Sequence, residues 1–179
     1  MHLIAGRTAQ AYNIRKSRKG GYWEDRYHAT AVQTGDHLLR CMIYIDLNMV
    51  RNGVVKHPSE WSEGGYHEIY KPRSRFKILN QGALLSHLEY DNQELLRDNY
   101  TKYLNETLEQ DKIERESKWT ESVAVGEMSF VNKVKEELAP KKRKLDISQS
   151  SDDTWELQVR EDEDFYGVEN LIFDWNSFR

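Results

Sequence analysis

Arg40, Tyr44, Asn48 and Arg51 fall on one side of a helix when residues 38–51 are projected at about 100° per residue. Tyr44 sits at the centre of that polar side, with Arg40 one turn before it and Asn48 one turn after. A phenol oxygen is a nucleophile that can attack phosphorus. Guanidinium groups beside it would hold the phosphate oxygens through paired, charge-assisted hydrogen bonds. By position alone the same pattern also describes an exposed tyrosine on a surface helix.

The opposite side of this helix carries Leu38, Met42, Ile45 and Met49, flanked by Leu39, Ile43 and Val50. Asp46 projects among these apolar residues, where a carboxylate needs a partner. Arg26, His28 or a backbone donor are the candidates, and a structural hydrogen bond is favoured over a catalytic role. The helix has ordinary boundaries. Thr34-Gly35-Asp36 supplies a turn and an N-cap, and Gly53 stands where a left-handed C-terminal residue belongs. His37 opens the helix and His57 precedes Pro58 in a turn, and each is expected to make only local contacts.

The rest of the chain must position these groups. Residues 3–14 are expected to form a short helix, followed by a basic loop containing Arg15, Lys16, Arg18 and Lys19 and ending at Gly20-Gly21. Residues 23–33 mix aromatic and β-branched types and predict a strand. A short helical turn is expected at 58–61, broken by Gly64-Gly65. KPRSR (71–75) marks a junction. Beyond it, helices are predicted over 82–89, over a longer segment capped by Asp91, and over 127–138. The long one carries a stripe of Leu95, Leu96, Tyr100, Tyr103, Leu104 and Leu108. KKRK (141–144) and SQSSDD (148–153) predict a linker, and the final stretch a strand and an aromatic segment.

Charge divides the chain. Residues 1–77 hold 13 Lys and Arg against 7 Asp and Glu, whereas the remainder holds 13 against 23. A basic first part of +6 and an acidic second part of −10 direct any polyanion to the first. Four cations at 15–19, with Tyr22 and Trp23 just beyond, suit single-stranded nucleic acid: cations for phosphates, ring faces for bases. For Trp23 and Tyr27 a place in the core is favoured over a nucleic-acid contact. The single cysteine, Cys41, excludes an internal disulfide and a cysteine-based zinc site. No apolar run approaches the ~20 residues of a membrane span, and the opening MHLIAGRTAQ does not read as a secretory signal. The expectation is a soluble, cytoplasmic protein.

The segment YIDLNMVRNGVV (44–55), followed by HPSEW (57–61), resembles the tyrosine helix and following turn of REP-associated tyrosine transposases, members of the single-tyrosine HUH superfamily. GGYWEDRYHATAVQ (20–33) and GRTAQAYNIRKSRKG (6–20) fit the same pattern, so the resemblance covers about residues 3–66. The segment 115–138 also looks like the C-terminal extension of longer members. The resemblance implies an α+β protein: a ferredoxin-like domain that cuts and rejoins single-stranded DNA beside REP-like hairpins. Tyr44 matches the nucleophile, which forms a 5′-phosphotyrosine link. A divalent ion, Mg²⁺ or Mn²⁺, held by a His-hydrophobic-His pair, would polarise the phosphate. Asn48 matches the place of a polar third ligand.

No two histidines in this chain are separated by a single residue. The resemblance also begins part-way into the domain, with its first strands, first helix and histidine strand expected before Met1. The chain is therefore expected to be the C-terminal part of a transposase, from a truncated or split reading frame. Two helices and about one strand would occupy 1–70, a helical extension 71–140, and a linker with an acidic aromatic tail 141–179. The metal-binding histidines would come from an upstream fragment, that fragment or a second copy of the chain is the expected protein partner, and the isolated chain would not cleave DNA. Two other functions fit the residues: a non-catalytic nucleic-acid-binding module using the basic part, and a helical interaction protein built on 82–138.

Overall fold

The structure, a computed structural model, describes residues 2–22, 28–72, 79–109, 113–138, 144–151 and 153–159. It is α+β: among the described residues there are eight α-helices and a four-stranded mixed sheet. The basic segment begins with α1 (His2–Arg15), closed by a residue in the left-handed region, Ser17 at φ 51. Arg18 N donates to Asn13 O and Ser17 N to Ile14 O, the two bonds of a Schellman ending.

The predicted strand is confined to β1 (Ala31–Val32) among the described residues. Residues 23–27, including Trp23 and Tyr27, lie outside them, as do most of KPRSR, most of KKRK and the stretch after 159. The tyrosine helix is α2 (Asp36–Asp46), separated by Leu47 from one further turn, α3 (Asn48–Arg51). Its N-cap is Gly35, at φ 75 and with no side-chain cap, rather than a side chain of the Thr34-Gly35-Asp36 turn. Gly53, at φ 68, ends α3 as expected.

The buried face of α2 is turned from the expected phase. Leu39, Ile43 and Leu47 are the buried apolar residues, while Ile45 is 61% exposed. These three pack against Ile69, Leu88, Leu96, Tyr100 and Leu104 to form a helical core. Ile69 lies on α4 (Tyr66–Tyr70), Leu88 on α5 (Gln81–Leu88), and the last three on α6 (Gln93–Glu109). The sequence gives no sign of α4, which is only five residues long and starts at the glycine pair. The cap of α6 is Asn92, whose Oδ1 accepts from Leu95 N at 2.9 Å, not Asp91. Leu95 itself is 44% exposed and leaves the stripe.

A second core lies on the sheet. After α7 (Lys118–Glu121) comes β2 (Ala124–Gly126), then α8 (Met128–Leu138), β3 (Leu145–Ser151) and β4 (Thr154–Val159). The order is β1-β2-β4-β3: β1 pairs parallel with β2, and the other neighbours are antiparallel. A parallel pair requires a crossover, and here all the helices from α2 to α7 supply it. Val131, Val134 and Leu138 of α8 pack over Ala31, Ala124, Leu145 and Leu157. The predicted linker at 148–153 is instead mostly the end of β3 and its turn. Ser148, Gln149, Ser150 and Ser151 are exposed on an edge strand, so no alternating apolar pattern marks them.

Candidate functional site

Tyr44 leaves α2 on its outer side and is half-buried. Two aromatic and cationic neighbours define its surroundings. The Arg51 guanidinium lies over the ring, 4.2 Å from its centroid. The Trp119 ring of α7 is 6.4 Å away and tilted by 41°. The ring is therefore sheltered on the surface and remains outside both apolar cores.

The guanidinium of Arg51 is engaged by the protein. Its Nε donates to Ile113 O at 2.7 Å, Nη1 to Asn48 Oδ1 at 3.3 Å and Nη2 to the Tyr44 main-chain O at 3.4 Å. Sequence spacing brings Arg51, Asn48 and Tyr44 together as expected, but the cation faces the ring rather than presenting a free fork to phosphate. Arg40, one turn before Tyr44, is exposed and lines a cleft shared with His37.

Asn48 Oδ1 accepts from both Arg51 and Asn52, the latter at 3.3 Å. Two donors, one of them a full positive charge, leave this oxygen a poor ligand for a dication. Among the described residues, no group of three or more His, Cys, Asp and Glu side chains could hold a metal ion. The residues around Tyr44 thus do not fit the divalent ion that the resemblance implies.

Asp46 has structural partners, the expected backbone donors among them; Arg26 lies outside the described residues. Tyr100 OH donates to its Oδ2 at 2.5 Å, and the backbone N–H groups of Gly65 and Tyr66 also donate to the carboxylate. Burial nonetheless raises its pKa, opposed by these hydrogen bonds. The carboxylate thereby fastens the start of α4 and the middle of α6 to α2. Of the two histidines expected to make only local contacts, His57 does and His37, hydrogen-bonded to the distant Asp153 backbone, does not. His57 Nδ1 accepts from Ser59 N at 3.2 Å and caps the 3-10 turn Pro58–Glu60. His28 Nε2 meets Ser122 O at 3.0 Å.

The basic end of α1 forms a second cluster. Arg15 and Arg18 lie over the Tyr12 ring, at 5.7 and 5.9 Å from its centroid. Tyr22 returns against the same ring, at 4.7 Å between centroids. Asn13 Nδ2 donates to Gly20 O at 3.1 Å and holds the loop back on the helix. Lys16 and Lys19 are exposed beside them. Tyr12, Trp119 and the Ile113 carbonyl are the participants that sequence reasoning missed. The i to i+3 spacing of Tyr12 and Arg15 was a usable local signal. Nothing local connects Tyr44 to residues 113 and 119.

No family model, characterised protein or solved structure matches this chain. No helix among the described residues is long and apolar enough to cross a membrane.

Proposed function

We propose that the chain is a single-stranded-DNA-binding protein of the REP-associated tyrosine transposase kind, with Tyr44 at the nucleophile's position. The basic end of α1 holds the strand. The observation that carries this is the placing of Arg15 and Arg18 on the Tyr12 ring, with Tyr22 beside it. Exposed cations and half-buried rings lie together there, which suits a phosphate backbone and its bases. In this proposal β1 and α2 correspond to the strand and tyrosine helix of a ferredoxin-like domain, and DNA with REP-like hairpins is the substrate.

In a working enzyme of this kind, the Tyr44 oxygen bonds to phosphorus as the bond to the 3′ oxygen breaks. The phenol proton passes to solvent and the 3′ oxygen becomes a hydroxyl. Strand transfer reverses these steps with a new 3′ hydroxyl. We assign the isolated chain the binding step alone, because the Arg51 fork is occupied by carbonyl oxygens and Asn48 does not suit a dication. The test pairs two measurements on the full chain: salt-dependent binding of single-stranded hairpin DNA, and denaturing electrophoresis after incubation with Mg²⁺ or Mn²⁺. Binding without a covalent adduct is expected. An adduct lost on Tyr44→Phe would instead make Tyr44 a working nucleophile.

A further inference from the structure

His37 takes no part in the DNA-binding surface, and its surroundings are unusual for a helix-opening residue. It is only 7% exposed, and its Nε2 has no hydrogen-bond partner among the described residues. The ring donates a hydrogen bond to the main-chain oxygen of Asp153, so its other nitrogen is satisfied. Burial lowers its pKa and favours the neutral ring. In a neutral imidazole that has given its one N–H away, Nε2 is a bare acceptor. A buried acceptor without a donor needs an explanation, of which a ligand is one.

His37 lines a cleft of about 640 Å³. The cleft lies where the start of α2, the end of α5, the start of α8 and the β3–β4 turn meet, and its volume is that of a small-ligand site. Its charge is lopsided: among the described residues, Asp36, Glu89, Glu127 and Asp153 line it against one cation, Arg40. Asp36, Glu127 and Arg40 all act electrostatically on His37. Tyr90 and Trp155 add aromatic surface to the wall. The acidic groups do not converge closely enough for a metal ion, since no group of three or more potential ligands is found among the described residues. Carboxylates spread around a cleft, with a lining histidine whose buried Nε2 is a bare acceptor, suit a larger cation that carries several N–H donors and an apolar stem.

We propose that this cleft binds an alkylammonium or guanidinium group, with His37 Nε2 accepting one N–H and the carboxylates sharing the charge. Such a group reaches the site either as a free polyamine or as a lysine or arginine side chain of a peptide. This proposal is independent of the DNA-binding surface, which is cationic and lies on α1.

The experiment is calorimetric titration of the full chain with spermidine and, separately, with a short capped Arg-Lys peptide, while the His37 imidazole nitrogens are followed by NMR. Saturable one-to-one binding that moves the His37 signals is expected from at least one of them, and which one identifies the source. Glu89→Gln with Glu127→Gln, both exposed positions, should weaken it about tenfold, from two partly exposed charge contacts. Arg40→Gln should tighten it. Binding that is unchanged in the double variant, or that leaves His37 unmoved, would be diffuse surface attraction and would overturn the assignment. So would no saturation by either probe in the millimolar range. Occupation of His37 by Zn²⁺ or Mn²⁺ with neither amine able to compete would overturn it as well.

Discussion

The guanidinium of Arg51 lies 4.2 Å from the centroid of the Tyr44 ring, and its Nε is hydrogen-bonded to the main-chain oxygen of Ile113 at 2.7 Å. One side chain thus ties the tyrosine helix to the segment that leads into α7. Trp119 completes the enclosure from α7 itself. Tyr44 is consequently held in place by a region more than sixty residues away in the sequence.

Replacing Arg51 with lysine removes the planar stack and the Nε bond together. Arg51→Lys should therefore lower stability by about 1–2 kcal/mol, from the loss of one cation–aromatic contact and one hydrogen bond. Urea denaturation monitored by circular dichroism measures this. Tyr44 should also gain solvent exposure, seen in the NMR signals of its own ring with Trp119 left in place. An unchanged midpoint would mean that the contact contributes nothing.

Tyr100→Phe deletes the hydroxyl that donates to the half-buried Asp46 carboxylate. Hydrogen bonds to charged groups contribute about 1.5–3 kcal/mol, and a loss of that size is expected at neutral pH. The Asp46 pKa, already raised by burial, should rise further because one of the hydrogen bonds lowering it is gone. NMR titration of the carboxyl carbon measures the second effect independently of the first.

The main helices were legible because their patterns are local. Apolar spacing marks α2, α6 and α8, and Gly53 closes α3 with the positive φ expected of it. The phase of α2 was not legible: Leu39, Ile43 and Leu47 win the core because α6 and α5 approach that side. The five-residue α4 depends on Asp46, a residue twenty positions earlier, to hold its first N–H groups. In β3 the residues Ser148 to Ser151 are polar and exposed, so an edge strand looked like a linker. At the site, Arg51, Asn48 and Tyr44 were placed together correctly because they share one helical run. Their relation to Ile113 and Trp119 is a tertiary contact that no spacing in the sequence announces.

Acid should destabilise the protein through His37. Its folded pKa lies below the ordinary value of 6.5, so the contribution is fully present above pH 6.5 and is lost as pH falls from there toward the folded pKa. Asp46 acts in the opposite sense, because its folded pKa is raised above 3.8 and the folded state takes up that proton first. Chemical denaturation at a series of pH values separates the two. The decline that begins near pH 6.5 should disappear in His37→Gln, and its persistence would point to another group.

Gly126→Ala tests the junction between β2 and α8. A Cβ there would stand 2.6 Å from Gln33 Oε1 and 2.7 Å from the Phe130 ring. Gln33 Oε1 also accepts from Glu127 N at 2.5 Å, so its displacement would strip the start of α8 of a partner. A loss of about 1–3 kcal/mol is expected from overpacking, read from the urea midpoint.

The most direct test of the proposed DNA binding is the affinity of the full chain for single-stranded hairpin DNA across a range of salt concentrations. Arg15, Lys16, Arg18 and Lys19 each neutralise one phosphate in this account. Log affinity should then fall linearly with log salt at a slope near −3, from roughly −0.7 per contact on a single strand. Replacing the four cations with glutamine should remove most of that slope, and Tyr12→Ala should weaken binding by about 1–3 kcal/mol through lost stacking. An affinity indifferent to salt, or one the four replacements leave intact, would contradict it.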